Sequence, residues 1–415
     1  MSNEHQGIVA QWDDVWLLGG VRTPFADYNG ALSAASPIDM GIKVTREALA
    51  RTGIAPSEVG TIVVGNMAQA SFDAYFTARH MGLYSGVPIS VPALQVQRIC
   101  GSGIEAVCQV ADAISLGRVN VGVAAGTESM SRNPVAAYTH RAGFRMGQVE
   151  FKDFLWEALM DTSCDHSMGD TAEKIAARLG ITRQEVDRFA AQSFDRALRA
   201  RVQGFFDAEI LSIANERFEL DGFRTRELRL RGVSVLDADA HVRPSSLEEL
   251  ARIRPAFGGV QTGGNSSGVV DGAAAVLVVS GEHLRSSGGK PMARIVAGCS
   301  VGCLPQEMGL GPTPAINALL AATGVPLDAI GRFEINEAFG AQILGVIRTL
   351  DLDEAKVNVN GGAIAIGHPL GATGVRLTLT VAREMQRSDV RYGIASACIG
   401  GGQGIALLLE NPGGV

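Results

Sequence analysis

Short, uninterrupted apolar runs bounded by Gly or Asn recur along the chain: VWLLGG from Val15, TIVVGN from Thr61, VGVAAG from Val121, AAVLVVS from Ala274, ARIVAG from Ala293 and YGIASACIGG from Tyr392. Continuous rather than alternating hydrophobicity predicts strands buried on both faces. Segments of helical period lie between them. Ile104, Val107, Cys108, Ala111 and Ile114 form one apolar stripe that ends at Gly117, the face a helix turns toward a sheet. Strand and helix in alternation predict a layered α/β fold.

From about Ser131 to Val260 the strand runs thin out, and helices are expected to dominate. Thr182 with Glu185 three residues later reads as a capping box, and Val186, Phe189, Ala190, Phe194, Ala197 and Leu198 behind it mark one helical face. The block reads as an inserted lid or loop domain. The flanking halves echo each other. ICGSGIEAV opens a helix followed by the strand VNVGVAAGTESM, and IGHPLGATGV opens a helix followed by RYGIASACIGG. Each half thus places a reactive side chain, Cys100 or His368, just before a helix start.

Composition narrows the functions. At about 150 residues per domain, 415 residues allow two to three domains. The 36 basic and 43 acidic residues leave a net charge of −7, which excludes a broad footprint for nucleic acid or anionic lipid. The six cysteines, at 100, 108, 164, 299, 303 and 398, form no C-x-x-C pair and no zinc spacing, so neither a disulfide framework nor a metal site is expected. The start MSNEHQGIVAQWDD has no signal-peptide pattern, and no segment reaches about 18 uninterrupted apolar residues. The expectation is a soluble, cytoplasmic protein that binds no membrane.

Cys100 sits in Q-R-I-C-G-S-G-I-E-A. A free thiol has a pKa of about 8.5, and the unpaired N–H groups and dipole of a helix N-terminus favour its thiolate. An inert buried cysteine is the plain alternative, and that reading is adopted for Cys108, Cys164, Cys299 and Cys303. His368, between N-G-G-A-I-A-I-G and Pro-Leu-Gly-Ala-Thr-Gly, is presented from a tight Gly-rich loop. A single histidine is more often structural than catalytic, and His5, His80, His140, His166, His241 and His283 lack such a setting. Cys398 lies in A-C-I-G-G-G-Q-G, where successive glycines can form a nest of donors for an oxyanion. Asn336 and Glu337 in I-N-E-A-F end another strand run. The carboxamide can hold a water or a carbonyl; for Glu337 a structural ion pair is an equal reading. Covalent acyl transfer accounts for the set jointly: a thiolate needs a base, its thioester an oxyanion hole, and a second thiol can move a proton to or from carbon. A thiol protease would leave Cys398 idle.

From about Val15 to Glu410 the chain resembles the thiolase family of acyl-CoA acetyltransferases. The motifs that carry the resemblance are QRICGSGIEA, NEAFGAQ with NVNGGAIAIGHPLGATG, and CIGGGQG, supported by GTESMSRNP, SMGDTAEKIA, RPAF, GGNSSGVVDGAAAV and MGLGPTPA. The resemblance implies two duplicated βαβαβαββ halves in a five-layered α/β/α/β/α core, with residues 15–130 plus 261–288 and 289–415 as the halves. Residues 131–260 would be an inserted CoA-binding loop domain. It further implies a homodimer or homotetramer acting on acyl-CoA and CoA, with coenzyme A as substrate and neither cofactor nor metal.

By the same resemblance Cys100 would be the acylated nucleophile, His368 its base, and Cys398 the acid or base at the α-carbon. One oxyanion hole would be His368 with a water held by Asn336; the other, the N–H groups of Cys100 and Gly400. Ser267, Phe257, Met168, Met308, Ala338 and Phe339 match positions along the pantetheine tunnel, and Arg243 one near the adenine. Arg224, Arg226, Arg229 and Arg231 offer cations to the 3′-phosphate, or else an ordinary solvated face. Departures from the family are Gln95-Val96-Gln97-Arg98 before the nucleophile and Gly340 after N-E-A-F. Ser167 stands where short-chain biosynthetic members carry His, so a wider acyl pocket and use in fatty-acid β-oxidation are expected. A strictly short-chain biosynthetic thiolase, a ketosynthase-like condensing enzyme, a Cys hydrolase and a non-catalytic acyl-CoA carrier are the other readings.

Overall fold

The computed structural model describes residues 7–69, 71–138 and 140–414; His5 lies outside them. The apolar runs are strands. In the first half Val15–Arg22 pairs antiparallel with Val270–Ser280, which pairs antiparallel with Val121–Glu128. The parallel strands Thr61–Gly65 and Ala93–Val96 extend this sheet to its edge. In the second half Ile330–Ile335 runs parallel to Tyr392–Ile399, followed by the antiparallel strands Gln403–Glu410 and Ala293–Gly302. The two sheets join where Ala293 and Arg294 meet Leu17 and Trp16.

Three buried clusters define the layers. Helices Pro37–Thr52 and Thr77–Tyr84 cover the outer face of the first sheet. Pro312–Thr323 and Gly340–Leu350 cover the outer face of the second. Between the sheets lie Ser102–Ser115 and Leu370–Ser388, the helices that follow Cys100 and His368, packed through Ile104, Val107, Leu377 and Val381. The order is α/β/α/β/α, as expected.

The duplication is incomplete at one place. The counterpart of the edge strand Ala93–Val96 does not form in the second half among the described residues; Val357 makes a single bridge to Phe333. The next residue, Asn358, takes over with its side chain: its Oδ1 accepts the Ile335 N–H at 2.9 Å and its Nδ2 donates to the Ile335 carbonyl at 2.8 Å. A carboxamide makes the pair of bonds that a strand backbone would have made, and it frees residues 359–367 to form the loop before His368.

The helical expectation for the middle holds for Met168–Leu179 and Arg183–Val202. Thr182 and Glu185 form the capping box, and Val186, Phe189, Ala190, Phe194 and Ala197 are buried, with Leu198 at the edge. Most of the remainder differs from expectation. It consists largely of short two-stranded ribbons such as Val135–Ala136 with Lys152–Asp153 and Glu216–Phe218 with Arg226–Leu228. Turn formers such as Gly204, Gly222, Gly232 and Pro244 interrupt any helical period there. No helix among the described residues is long and apolar enough to cross a membrane.

The central helices meet backbone to backbone. A Cβ on Gly103 would stand 2.6 Å from the Val375 nitrogen, and one on Gly374 would stand 2.7 Å from the Gly103 carbonyl carbon. One turn earlier Gly371 lies against the Gly65 and Thr127 carbonyls, where a Cβ would stand 2.6 and 2.8 Å away. Since backbone cannot rotate away as a side chain can, Gly103→Ala or Gly374→Ala should destabilise the fold by about 2 kcal/mol or more. The midpoint of denaturant unfolding measures this; an unchanged midpoint would show that the helices can part without penalty.

Candidate active site

Each reactive group sits where a strand gives way to a loop or a helix start. The strand Ala93–Val96 leads through a tight turn into the helix Ser102–Ser115, with Cys100 at its N-terminal end. Ile99 takes φ +46°, a left-handed value that strains a β-branched residue. Ser102 holds that turn: its hydroxyl accepts the Arg98 N–H at 2.8 Å and donates to the Ile99 carbonyl at 2.7 Å. Asn336 and Cys398 come from adjacent parallel strands, whose C-terminal ends are the usual ligand edge of such a sheet.

Glu337 ties down the loop that carries His368. Its buried carboxylate accepts from the Ser193 hydroxyl at 2.7 Å, Asn358 Nδ2 at 2.8 Å and the Ile364 N–H at 3.1 Å. It is thus a hydrogen-bonded anchor with neutral partners rather than half of an ion pair. Gly367, at φ +101°, then turns the chain into His368, whose N–H donates to the Gly268 carbonyl at 3.0 Å.

The hydrogen bonds select one tautomer. The Thr373 hydroxyl donates to the Pro369 carbonyl at 3.1 Å, so at 2.5 Å it accepts from His368 Nδ1–H. Nε2 therefore keeps its lone pair, facing Asn336 Nδ2 at 3.2 Å. Asn336 Oδ1 is buried without a hydrogen-bond partner among the described residues, free to accept from a water or substrate group. Burial, and next the positive Arg376, push the His368 pKa down to about 3.

Cys100 departs from the expectation of a helix-stabilised thiolate. Burial pushes its pKa up to about 12; the Gly400 N–H and its own N–H pull the other way without overcoming it. Desolvation outweighs the helix start because the thiol faces an apolar cavity. Burial also pushes Cys398 up, with Cys100 the next cause. All six thiols are free; Cys299 and Cys398 are fully buried, whereas Cys100, Cys108, Cys164 and Cys303 are half-buried.

A cavity of about 370 Å³ collects Cys100, His368 and Cys398, together with Ser167, Met168, Phe257, Ser267, Met308, Ala338 and Phe339. Asn336 stands behind it on His368, and the Gly400 N–H points at the Cys100 thiol. Ser167 caps the helix Met168–Leu179, its hydroxyl bonded to Asp170 at 2.7 Å. Arg243 is exposed at the rim, beside His241. Sequence reasoning set His241 aside, yet its ring lines the cavity, as do Met130, Trp156, Leu159, Thr262 and Leu370. Met130 and Leu370 fell inside quoted motifs; His241 carried no local signal. The basic cluster does not reach the cavity. Arg226 is bound to Asp39 at 2.5 Å and Asp73 at 2.7 Å, and Arg229 to Glu227 at 2.6 Å.

Two thiols, an unprotonated imidazole and convergent N–H donors in one cavity fit a cysteine-dependent acyltransferase. Models of the thiolase N-terminal and C-terminal domains match residues 15–282 and 289–411, and the chain belongs to the thiolase family. It is 40% identical over 401 residues to the mitochondrial 3-ketoacyl-CoA thiolase of Bos taurus, covering 96% of this chain and 98% of that one. It is 39% identical to an acetyl-CoA acetyltransferase of Allochromatium vinosum, covering 96% and 99%. The crystal structure of human mitochondrial 3-ketoacyl-CoA thiolase in complex with CoA superposes with a TM-score of 0.90 at 38% identity, covering 96% and 98%. The protein is an acyltransferase with thiolase activity, and coenzyme A is its substrate.

The lowered His368 pKa has a measurable sign. The unfolded chain binds a proton at this residue below pH 6.5 while the folded chain does not, so stability is intact above that pH and is lost as pH falls toward 3. Wild type should lose stability relative to His368→Asn by about 1.4 kcal/mol per pH unit between pH 6.5 and 4. Urea unfolding at several pH values tests this, and parallel stability curves would contradict it.

Proposed function

We propose that Cys100 carries the acyl group, His368 takes its proton through Nε2, and Cys398 moves the proton at the α-carbon. In thiolysis the Cys100 sulfur bonds the keto carbon of a 3-ketoacyl-CoA as its proton passes to His368. The bond between the keto carbon and the α-carbon then breaks, and the acetyl-CoA enolate takes a proton from Cys398. CoA gives its thiol proton to the Cys398 thiolate and its sulfur attacks the acyl-Cys100 carbonyl. The bond to Cys100 breaks, Cys100 takes its proton back from His368, and the shortened acyl-CoA leaves. The reverse is a Claisen condensation. His368 with a water on Asn336, and the N–H groups of Cys100 and Gly400, hold the oxyanions. One observation carries this reading: both thiols and the Nε2-basic imidazole line one cavity. A CoA carrier has no use for such a set, and a hydrolase none for Cys398. Loss of the ultraviolet absorbance of acetoacetyl-CoA beyond one equivalent of enzyme only when free CoA is present tests it; continued loss without free CoA would contradict it. Asn336→Ala should lower turnover by roughly 10²- to 10³-fold, the scale of one oxyanion-hole donor.

Residues 15–130 plus 261–288 supply Cys100 and residues 289–415 supply His368 and Cys398, while the block 131–260 brings Ser167, Met168, Arg243 and Phe257 to the CoA channel. Met168, Phe257, Ser267, Met308, Ala338 and Phe339 wall the pantetheine arm, and Arg243 stands toward the nucleotide. The edge strand Ala93–Val96, flanked by exposed Phe72, Tyr75, Phe76, Ile89 and Leu94, supports a homodimer or a dimer of dimers. Six free thiols fit a reducing compartment such as the cytoplasm.

Ser167 supports a substrate longer than acetoacetyl-CoA. It is 6% exposed and lines the cavity together with Trp156, Leu159 and Met168, where a hydroxymethyl group takes up less volume than an imidazole. Each accommodated methylene contributes about 0.8 kcal/mol, so two or three raise kcat/KM by roughly one to two orders of magnitude. Thiolysis should therefore be best above four carbons, and Ser167→His should shift the optimum down. Because Ser167 is also a helix cap, Ser167→Ala serves as control: it loses the cap at about 1 kcal/mol but should keep the chain-length profile. A wild-type optimum at four carbons, unmoved by Ser167→His, would sink this assignment.

A further inference from the structure

Asp27 and His241 are two titratable groups that acyl transfer leaves unused, and they meet at the wall of the catalytic cavity. Asp27 ends the short strand Ala26–Asp27, which pairs with Val270 and Asp271, while His241 comes from the inserted block. His241 Nδ1 lies 2.6 Å from Asp27 Oδ1, and this bond holds the Asp27 carboxyl below its usual range. The ring's far edge packs on Gly268, where a Cβ would stand 2.9 Å from Nε2.

Arg243 completes the cluster. Its Nη1 donates to the His241 carbonyl at 3.0 Å and lies 3.2 and 3.3 Å from the two ring nitrogens. Near-equal distances mean that the guanidinium lies over the ring instead of bonding one nitrogen. It also sits 5.2 Å from the Phe194 ring centroid. The carboxylate fixes the imidazole, and the imidazole and Phe194 fix an exposed cation at the cavity rim.

We infer that Asp27 and His241 are positioning residues for coenzyme A: they hold Arg243 toward the phosphorylated nucleotide half of the substrate, while the His241 ring walls the pantetheine arm. This rests on the thiolase reading and on the cavity being the CoA channel. An arginine held in place before binding loses less rotamer freedom when it meets phosphate or base, so its contacts yield more affinity. The acyl chain, at the Cys100 end, gains nothing from it.

A thiol without the nucleotide separates this role from a structural one. Thiolysis is measured with CoA and with N-acetylcysteamine, which shares the thiol and lacks the nucleotide, using an N-acetylcysteamine 3-ketoacyl thioester as donor in both cases. Asp27→Asn should raise the KM for CoA by about tenfold, the scale of one hydrogen bond to a charged group, with kcat and N-acetylcysteamine thiolysis unchanged, and His241→Ala should raise the KM for CoA by more than it impairs N-acetylcysteamine thiolysis. Asp27→Glu should recover part of the loss. An unchanged KM for CoA in active variants would overturn the inference. Equal losses with both thiols would also overturn it, because the ring would then serve only to support Gly268 and, through its carbonyl, His368. A wild type without CoA-dependent thiolysis would overturn the thiolase reading and this inference with it.

Discussion

The active site depends on two helices that approach until their backbones touch. Gly103 and Gly374 leave no room for a Cβ where the helices following Cys100 and His368 cross, and Gly371 seats the second helix against the Gly65 and Thr127 carbonyls. The seam sits within one to two turns of both reactive groups. A displacement here would therefore move Cys100 relative to His368, which come from different halves of the duplicated fold. Glu128 reinforces the seam from the first half: its buried carboxylate accepts from the N–H groups of Met67, Ala68 and Gly371.

Burial in an apolar cavity sets the chemistry of the site. Burial keeps the Cys100 thiol protonated and the His368 imidazole unprotonated, the opposite of a preformed thiolate–imidazolium pair. In the proposed mechanism, proton transfer from sulfur to Nε2 accompanies attack on the substrate, and the charge it creates falls on an oxyanion met by prearranged N–H donors in a low dielectric, where such donors act most strongly. Thr373 contributes by fixing the tautomer, since a proton on Nε2 would leave His368 unable to accept.

Much of this was legible in the sequence because continuous apolar runs mark doubly covered strands and Gly-rich motifs mark sharp chain reversals. Cys100, His368, Cys398 and Asn336 all stood beside such signals. The missing strand at Val357 was not legible, because the Asn358 side chain replaces it and no period records that. Nor was the raised Cys100 pKa: a helix start is a local feature, whereas desolvation is the sum of walls drawn from distant segments. His241 escaped for the same reason, since its setting is made by Asp27, Gly268 and Phe194, all remote in the chain. Ser167 was picked out by its place in a motif, but its bond to Asp170 shows a capping role as well.

The central claim is that a neutral Cys100 thiol, brought against His368 by the helix seam, carries the acyl group. Mass spectrometry of peptides from protein mixed with a 3-ketoacyl-CoA in the absence of free CoA, so that the reaction stops at the acyl-enzyme, tests it most directly. The predicted result is one acyl group on the peptide containing Cys100, absent in Cys100→Ala and retained when the donor is acetyl-CoA and Cys398 is Ala. An acyl group on Cys398, or none on either thiol of protein that turns over once CoA is added, would contradict the account.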